Sequence, residues 1–121
     1  MAIYPEIKFT KEVIWTKFED GSKAWLRYSI KNNEMYLLET YTPPQHRGKG
    51  VASKLVEKAI EIAKNRNLKI VPICSYTIYY FMKHTEARDI LSDGYRLLNE
   101  NEWRRLFEER LREEKSKKSK D

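Results

Sequence analysis

Two features of this sequence carry residue types able to act on a ligand: the run Arg47-Gly48-Lys49-Gly50-Val51-Ala52 and the single cysteine, Cys74. The run lies between an extended-looking segment and an amphipathic one. The first turn of a helix leaves its N–H groups unpaired and carries a partial positive charge, so it attracts anions. Gly48 and Gly50 let the backbone approach closely and adopt φ > 0. Arg47 and Lys49 add charge, and the whole is a competent cradle for a pyrophosphate. The spacing excludes a Walker A loop, which needs G-x-x-x-x-G-K-[ST]. It also lacks the third glycine of a dinucleotide fingerprint. On spacing alone, a basic glycine-bearing turn that holds no ligand stays open. Cys74 ends an apolar run and precedes a helical one. A helix N-terminus favours the thiolate, the nucleophilic form of cysteine. The plain alternative is a buried cysteine that fills core.

The elements that must position these residues are legible in the patterning. Residues 3–9 look extended, with Pro5 against a central strand. Residues 12–18 are β-branched and aromatic, and Asp20-Gly21 is a hairpin turn signal. In 23–30, Ala24, Leu26, Tyr28 and Ile30 share one face. Asn32-Asn33 is the second turn and 35–41 a third strand, giving an antiparallel meander ended by Pro43-Pro44. Val51, Leu55, Ala59, Ile62 and Ala63 then recur on one face of a helix. Asn65-Arg66-Asn67 closes that helix, and 68–73 is a short apolar strand. A strand–helix–strand unit places its two strands parallel, with ligands at their C-terminal ends. Ser75 is the expected cap of a helix over 76–84 with Ile78, Tyr79 and Met82 on one side. Residues 85–91 add a turn or two, and Asp93-Gly94 stops them. Asn99 or Asn101 caps a last helix carrying Trp103, Leu106, Phe107 and Leu111. The expected fold class is α+β, a mixed sheet with an extra C-terminal amphipathic helix. The expected organisation is one domain over 1–98, the helix 99–114 packed on it or on a partner, and a disordered basic tail over 115–121.

The chain has 121 residues, one domain by length. Its formal charge is +6, from 24 Lys+Arg and 18 Asp+Glu. Half of that excess falls in the last 18 residues, so the body is only mildly basic and does not argue for nucleic acid. One cysteine excludes an internal disulfide, and with two histidines it cannot build a zinc finger. No apolar run is long enough to span a membrane, and the N-terminus lacks the pattern of a secretion signal. The expected location is cytoplasmic.

Arg47, Gly50 and Ala52 occupy the fixed places of the pattern R/Q-x-x-G-x-G/A. With it, the chain resembles the GNAT superfamily of acetyl-CoA-dependent N-acetyltransferases, whose order of elements is the same. It is most similar to a small GNAT family named for a cysteine and a glycine in its acetyl-CoA site. The resemblance runs from about Ala24 to Leu91. Its carriers are Glu39-Thr40, the Pro44 to Ala52 loop, the Leu68 to Tyr76 segment and Lys83-His84-Thr85-Glu86.

The resemblance implies acetyl-CoA as co-substrate, no metal, and transfer of the acetyl group to an unidentified amine on a small molecule or protein. Cofactor-binding residues would be Thr40, Tyr41, Arg47, Gly48, Lys49, Gly50, Val51, Ala52, Ser75, Tyr76, Tyr79 and Lys83. Cys74 and Glu39 would be the catalytic pair, with the acetyl group passing through Cys74 or moving directly to the amine. The family usually has a histidine where Glu39 stands. A carboxylate can take a proton from an ammonium but opposes a neighbouring thiolate, which favours direct transfer. One of Tyr76, Tyr79 and Tyr80 is a candidate to protonate the leaving thiolate. His84 reads as structural and His46 as exposed. Oligomeric state stays open, a homodimer being one option. The alternatives are a non-catalytic CoA-binding module and, more remotely, a nucleic-acid-binding protein using the basic loop and tail.

Overall fold

The computed structural model describes residues 5–119. Its first half is built by tight turns. Asn32 and Asn33 both sit in the left-handed region, at φ 53° and 65°. That geometry matches the twist of the strands on either side, β3 (Lys23–Lys31) and β4 (Glu34–Tyr41). Gly21, at φ 88°, turns β2 (Val13–Lys17) into β3. The edge strand β1 is only Lys8–Phe9, and of the extended run expected over 3–9, residues 3 and 4 lie outside the described residues. The strands lie in the order β1-β2-β3-β4-β5, antiparallel until β5 (Lys69–Pro72), which pairs parallel with β4.

Alternation puts Ile14, Ala24, Leu26, Tyr28, Met35 and Leu37 on one face of the sheet, all buried. The helix α1 (Val51–Asn65) covers that face with Leu55, Val56, Ala59, Ile62 and Ala63. The α+β architecture is the one expected. Pairing between β3 and β4 shifts register between Arg27 and Tyr28, which leaves Leu38 as an extra residue on β4. A bulge of this kind re-aims the side chains that follow it.

The second half differs from expectation in four places. The helix α2 is Ser75–Lys83, with Cys74, not Ser75, as its N-cap residue. Its buried residues are Thr77, Ile78, Tyr80 and Phe81, while Tyr79 is exposed. A nine-residue helix this rich in aromatics has more than one apolar stripe, and the packing of α1 and a later helix chooses between them. Residues Thr85–Ile90 form a 3-10 turn, after which Asp93-Gly94 begins the short helix α3 (Asp93–Arg96) instead of stopping one. Gly94 is not in the left-handed region that would end a helix. Finally, α4 runs Glu100–Ser119, so helix replaces the disordered tail expected over 115–119; Lys120 and Asp121 lie outside the described residues. The Glu and Arg of the preceding turns and the lysines of this one are strong helix formers, and pairs such as Arg110–Glu113 (3.2 Å) support the helix just before it.

Asn99 starts α4 through a capping box: its backbone N–H donates to Glu102 Oε1 (2.9 Å), and the Glu102 N–H donates back to Asn99 Oδ1 (2.8 Å). Trp103 is wholly buried beneath the Arg88 guanidinium, 4.9 Å from its ring centroid. Arg88 also donates to Phe81 O (2.8 Å) and pairs with Glu100 (2.9 Å), so it ties α2 to α4. Leu106 and Phe107 are half-buried against the same core.

Trp103→Ala should therefore cost about 3–5 kcal/mol in urea denaturation, the range for emptying a core aromatic site. Leu97→Ala, at a side chain that packs little, should change stability by less than about 0.5 kcal/mol. Equal effects would show that α4 is not part of the domain's core.

Candidate functional site

The site begins where β4 and β5 part. Their ladder runs from Glu34 opposite Lys69 to Leu37 opposite Pro72. The Leu37 carbonyl then accepts two N–H groups, from Ile73 (3.0 Å) and Cys74 (3.2 Å). There the chain leaves the sheet and enters α2. β4 continues through Leu38 to Tyr41 without β5 beside it. A strand edge left without a partner offers N–H and C=O groups to an extended ligand.

Cys74 sits in the fork, almost fully buried. Its Sγ lies 3.9 Å from Thr40 Oγ1 and 3.5 Å from Thr77 Oγ1. The Thr77 hydroxyl donates to Cys74 O (2.9 Å), so its oxygen is free to accept and the thiol S–H is the donor. The first N–H of α2 is also engaged. Glu114, from α4, accepts from Ser75 N–H through Oε2 (2.9 Å) and from the Ser75 hydroxyl through Oε1 (2.5 Å).

The glycine-bearing turn takes the opposite form. Gly50 (φ 80°) is the N-cap of α1, no side chain caps that helix, and its first turn holds no acidic residue. Gly48 has φ 79°, and a Cβ at either glycine would meet nothing within 4 Å. Glycine is needed here for its conformation, and the space in front of the turn is open. Arg47 Nε donates to Thr42 O (2.8 Å), tying the turn to the end of β4. His46 is not exposed as expected. Its ring stacks on Phe18 at 3.6 Å between centroids, and Nε2 lies 2.9 Å from Asp20 Oδ2. Asp20 also accepts from Ser22 N–H (2.8 Å), the Ser22 hydroxyl (2.5 Å) and Gln45 (3.2 Å). The Ser22 bonds foremost, then Gln45 and His46, hold the Asp20 carboxyl well below the usual range. The β2–β3 turn thus buttresses the loop, a role missed in the sequence although Asp20-Gly21-Ser22 is an Asx-turn signature.

Two clefts meet at the fork. One, of about 430 Å³, is lined by Thr40, Tyr41, Arg47, Gly48, Gly50, Val51, Ala52 and Tyr76 among the expected residues, with Thr42 and His46. The other, of about 620 Å³, holds Glu39, Cys74 and Ser75. Thr40 and Tyr76 line both. Lys49, Tyr79 and Lys83 line neither. Lys83 instead lies over the Tyr79 ring, 5.6 Å from its centroid. Glu39 is cross-strand from Arg27, whose Nε and Nη2 both reach its Oε1 at 2.8 Å. Burial raises the Tyr76 phenol above its usual value, partly offset by a hydrogen bond with Ser53. Tyr80 is buried and stacks on His84 (4.2 Å between centroids), and neither lines a cleft.

The second cleft contains residues the sequence reading did not place there: Arg110, Glu113, Glu114 and Lys117 of α4. One signal was available. Arg110 and Glu114 fall a heptad after Trp103 and Phe107, so they prolong the core-facing stripe, where an isolated charge is rare. Among the described residues there is no group of three or more His, Cys, Asp or Glu able to hold a metal, and no helix long and apolar enough to cross a membrane.

A family model described as GCN5-related N-acetyl-transferase matches residues 13–90, more than half of the chain. Among solved structures, the chain is similar to the solution NMR structure of a GCN5-like candidate N-acetyltransferase from Staphylococcus aureus. The two share 26% identity and a TM-score of 0.57, over 72% of this chain and 87% of that one.

The Asp20 buttress predicts a pH dependence. A depressed carboxyl contributes stability that is fully present above its unfolded value, near pH 4, and that is lost as pH falls through the folded value. The stability difference between wild type and Asp20→Ala should therefore be constant near neutrality and shrink below about pH 4. A difference that does not change with acidification would contradict it.

Proposed function

The chain belongs to the GCN5-related N-acetyltransferase family, and from that premise we propose how it binds acetyl-CoA and acetylates an amine. The family generally uses acetyl-CoA. The observation that carries the reading is the fork at Leu37, with a free strand edge running from Cys74 toward the uncapped N-terminus of α1.

The pyrophosphate would sit on the Gly48 to Ala52 turn, where the first-turn N–H groups of α1, which no side chain caps, and the helix dipole meet it. The pantetheine arm would pair with the β4 backbone at Thr40 and Tyr41. Its thioester then reaches the fork beside Cys74. The acceptor amine enters the second cleft, attacks the thioester carbonyl carbon through its lone pair, and the C–S bond breaks. The sulfur leaves as a thiolate and takes a proton. Tyr76 is the donor: it lines both clefts, and burial keeps its phenol protonated. The proton lost by the ammonium passes to water, since Arg27 already holds the Glu39 carboxylate.

Direct transfer is favoured over an acetyl-cysteine. The Cys74 S–H is a donor to Thr77, and the helix end that would stabilise a thiolate is occupied by the Glu114 carboxylate. No imidazole lines the cleft that holds Cys74. Cys74 then contacts the acetyl group and shapes the fork.

Calorimetric titration with acetyl-CoA is the first test. Wild type should bind saturably, and Gly50→Glu should weaken binding at least about tenfold by placing an anion in the cradle. Equal binding by both would remove the reading. CoA release with a panel of amines and lysine peptides follows. Tyr76→Phe should lower it by about 10²-fold or more, the usual worth of a general acid. Cys74→Ser should retain most of it. Loss of turnover in Cys74→Ser, with an acetyl adduct on wild-type Cys74 by denaturing mass spectrometry, would establish the covalent route instead.

A further inference from the structure

We propose that α4 is a wall of the active site, and that its Arg110 and Glu114 are positioning residues which hold Cys74 in place against the acceptor cleft. The proposal rests on the acetyltransferase reading for the meaning of that cleft, and on its own geometry for the clamp. The family match ends at residue 90, so α4 lies outside it.

Ile73 and Cys74 are the two residues between β5 and α2, and neither the strand ladder nor the helix satisfies the Ile73 carbonyl before Cys74 or the Ser75 N–H after it. The Ile73 carbonyl follows the last paired residue of β5. The Ser75 N–H belongs to the first turn of α2 and has no intrahelical partner. Both groups are taken up by one turn of α4. Arg110 Nη1 donates to Ile73 O, and Glu114 accepts from Ser75 N–H (2.9 Å) and Oγ (2.5 Å). Residues at i and i+4 share one face of a helix, so the pair grips the chain on both sides of Cys74. From the other side, the Leu37 carbonyl holds the N–H groups of Ile73 and Cys74. The cysteine is thus pinned between the sheet and α4.

The clamp is itself braced. Arg110 Nε also donates to Glu113 Oε1 (3.2 Å). Trp103, under Arg88, fixes the axis of α4 two turns earlier. Because the same turn carries Glu113 and Glu114 into the cleft that holds Cys74 and Glu39, an acceptor must enter between β4 and α4. Elements that belong to the family bind the CoA side, and an element outside it bounds the acceptor side.

The chain has one cysteine, so a thiol reagent reports on Cys74 alone. The experiment follows iodoacetamide alkylation of wild type, Glu114→Ala, Arg110→Ala and Leu106→Ala, with thermal stability measured for each. Leu106 is half-buried on α4 against the core and serves as a control that loosens the helix while leaving both clamp side chains in place. Glu114→Ala and Arg110→Ala should speed alkylation by about tenfold or more, the effect of losing a charge-assisted bond that keeps a segment closed. Leu106→Ala should not, even if it lowers stability more. Unchanged alkylation in both clamp variants, or an equal rise in Leu106→Ala, would overturn the proposal. If wild type binds no acetyl-CoA, the functional reading fails, while the alkylation rates still decide whether α4 holds Cys74.

Discussion

The Leu37 carbonyl is the constraint on which the site depends. A carbonyl oxygen has two lone pairs, and this one gives both to consecutive N–H groups of the incoming chain. That pair of hydrogen bonds ends β5, delivers Cys74 to the N-cap of α2 and turns the backbone away from the sheet. β4 then keeps an unpaired edge just where Leu38 bulges and re-aims it. A ladder two residues longer would pair Cys74 with Glu39 and draw the cysteine into the strand. The crossover helix α1 is equally bound to the fork, because its N-terminus must sit at the end of the same edge.

Two helix N-termini face this site and are treated in opposite ways. That of α1 is preceded by a left-handed glycine, carries no side-chain cap and has no acid in its first turn. That of α2 is given a carboxylate, Glu114, and a serine between the two. One end is left able to draw an anion and the other is already satisfied. This contrast underlies the proposal that the loop takes a pyrophosphate, while the Cys74 S–H faces Thr77 Oγ1 beside a helix end already taken by Glu114. It also gives Tyr76 its place, as a phenol kept protonated by burial at the junction of the two clefts.

Most of the positioning frame was legible because it is local. The Asp20-Gly21 and Asn32-Asn33 turns, the alternation in β3 and the helical period from Val51 each act over a few residues, and the structure has all of them. The Arg47 to Ala52 turn was legible for the same reason. What was hidden depends on contacts across the fold. Ser75 reads as a cap by type, yet it is capped itself, by a residue 39 positions away. Tyr79 belongs to a plausible stripe until α4 decides which face of α2 is buried. His46 looks like an exposed loop residue because Phe18 and Asp20, which hold it, lie on another hairpin. One wall of the cleft that holds Cys74 comes from a helix that reads, in sequence, only as a packing element.

The central claim is that one continuous site joins the α1 turn, the free edge of β4 and the start of α2. The most direct measurement is a backbone amide chemical-shift map of the protein titrated with acetyl-CoA. The account predicts the largest changes at Thr40, Tyr41, Gly48, Gly50, Val51, Ala52, Ser75 and Tyr76, saturating together. Changes centred elsewhere, for example on Val13, Trp15 and Trp25 across the sheet, with the Gly48 to Ala52 turn unmoved, would contradict it.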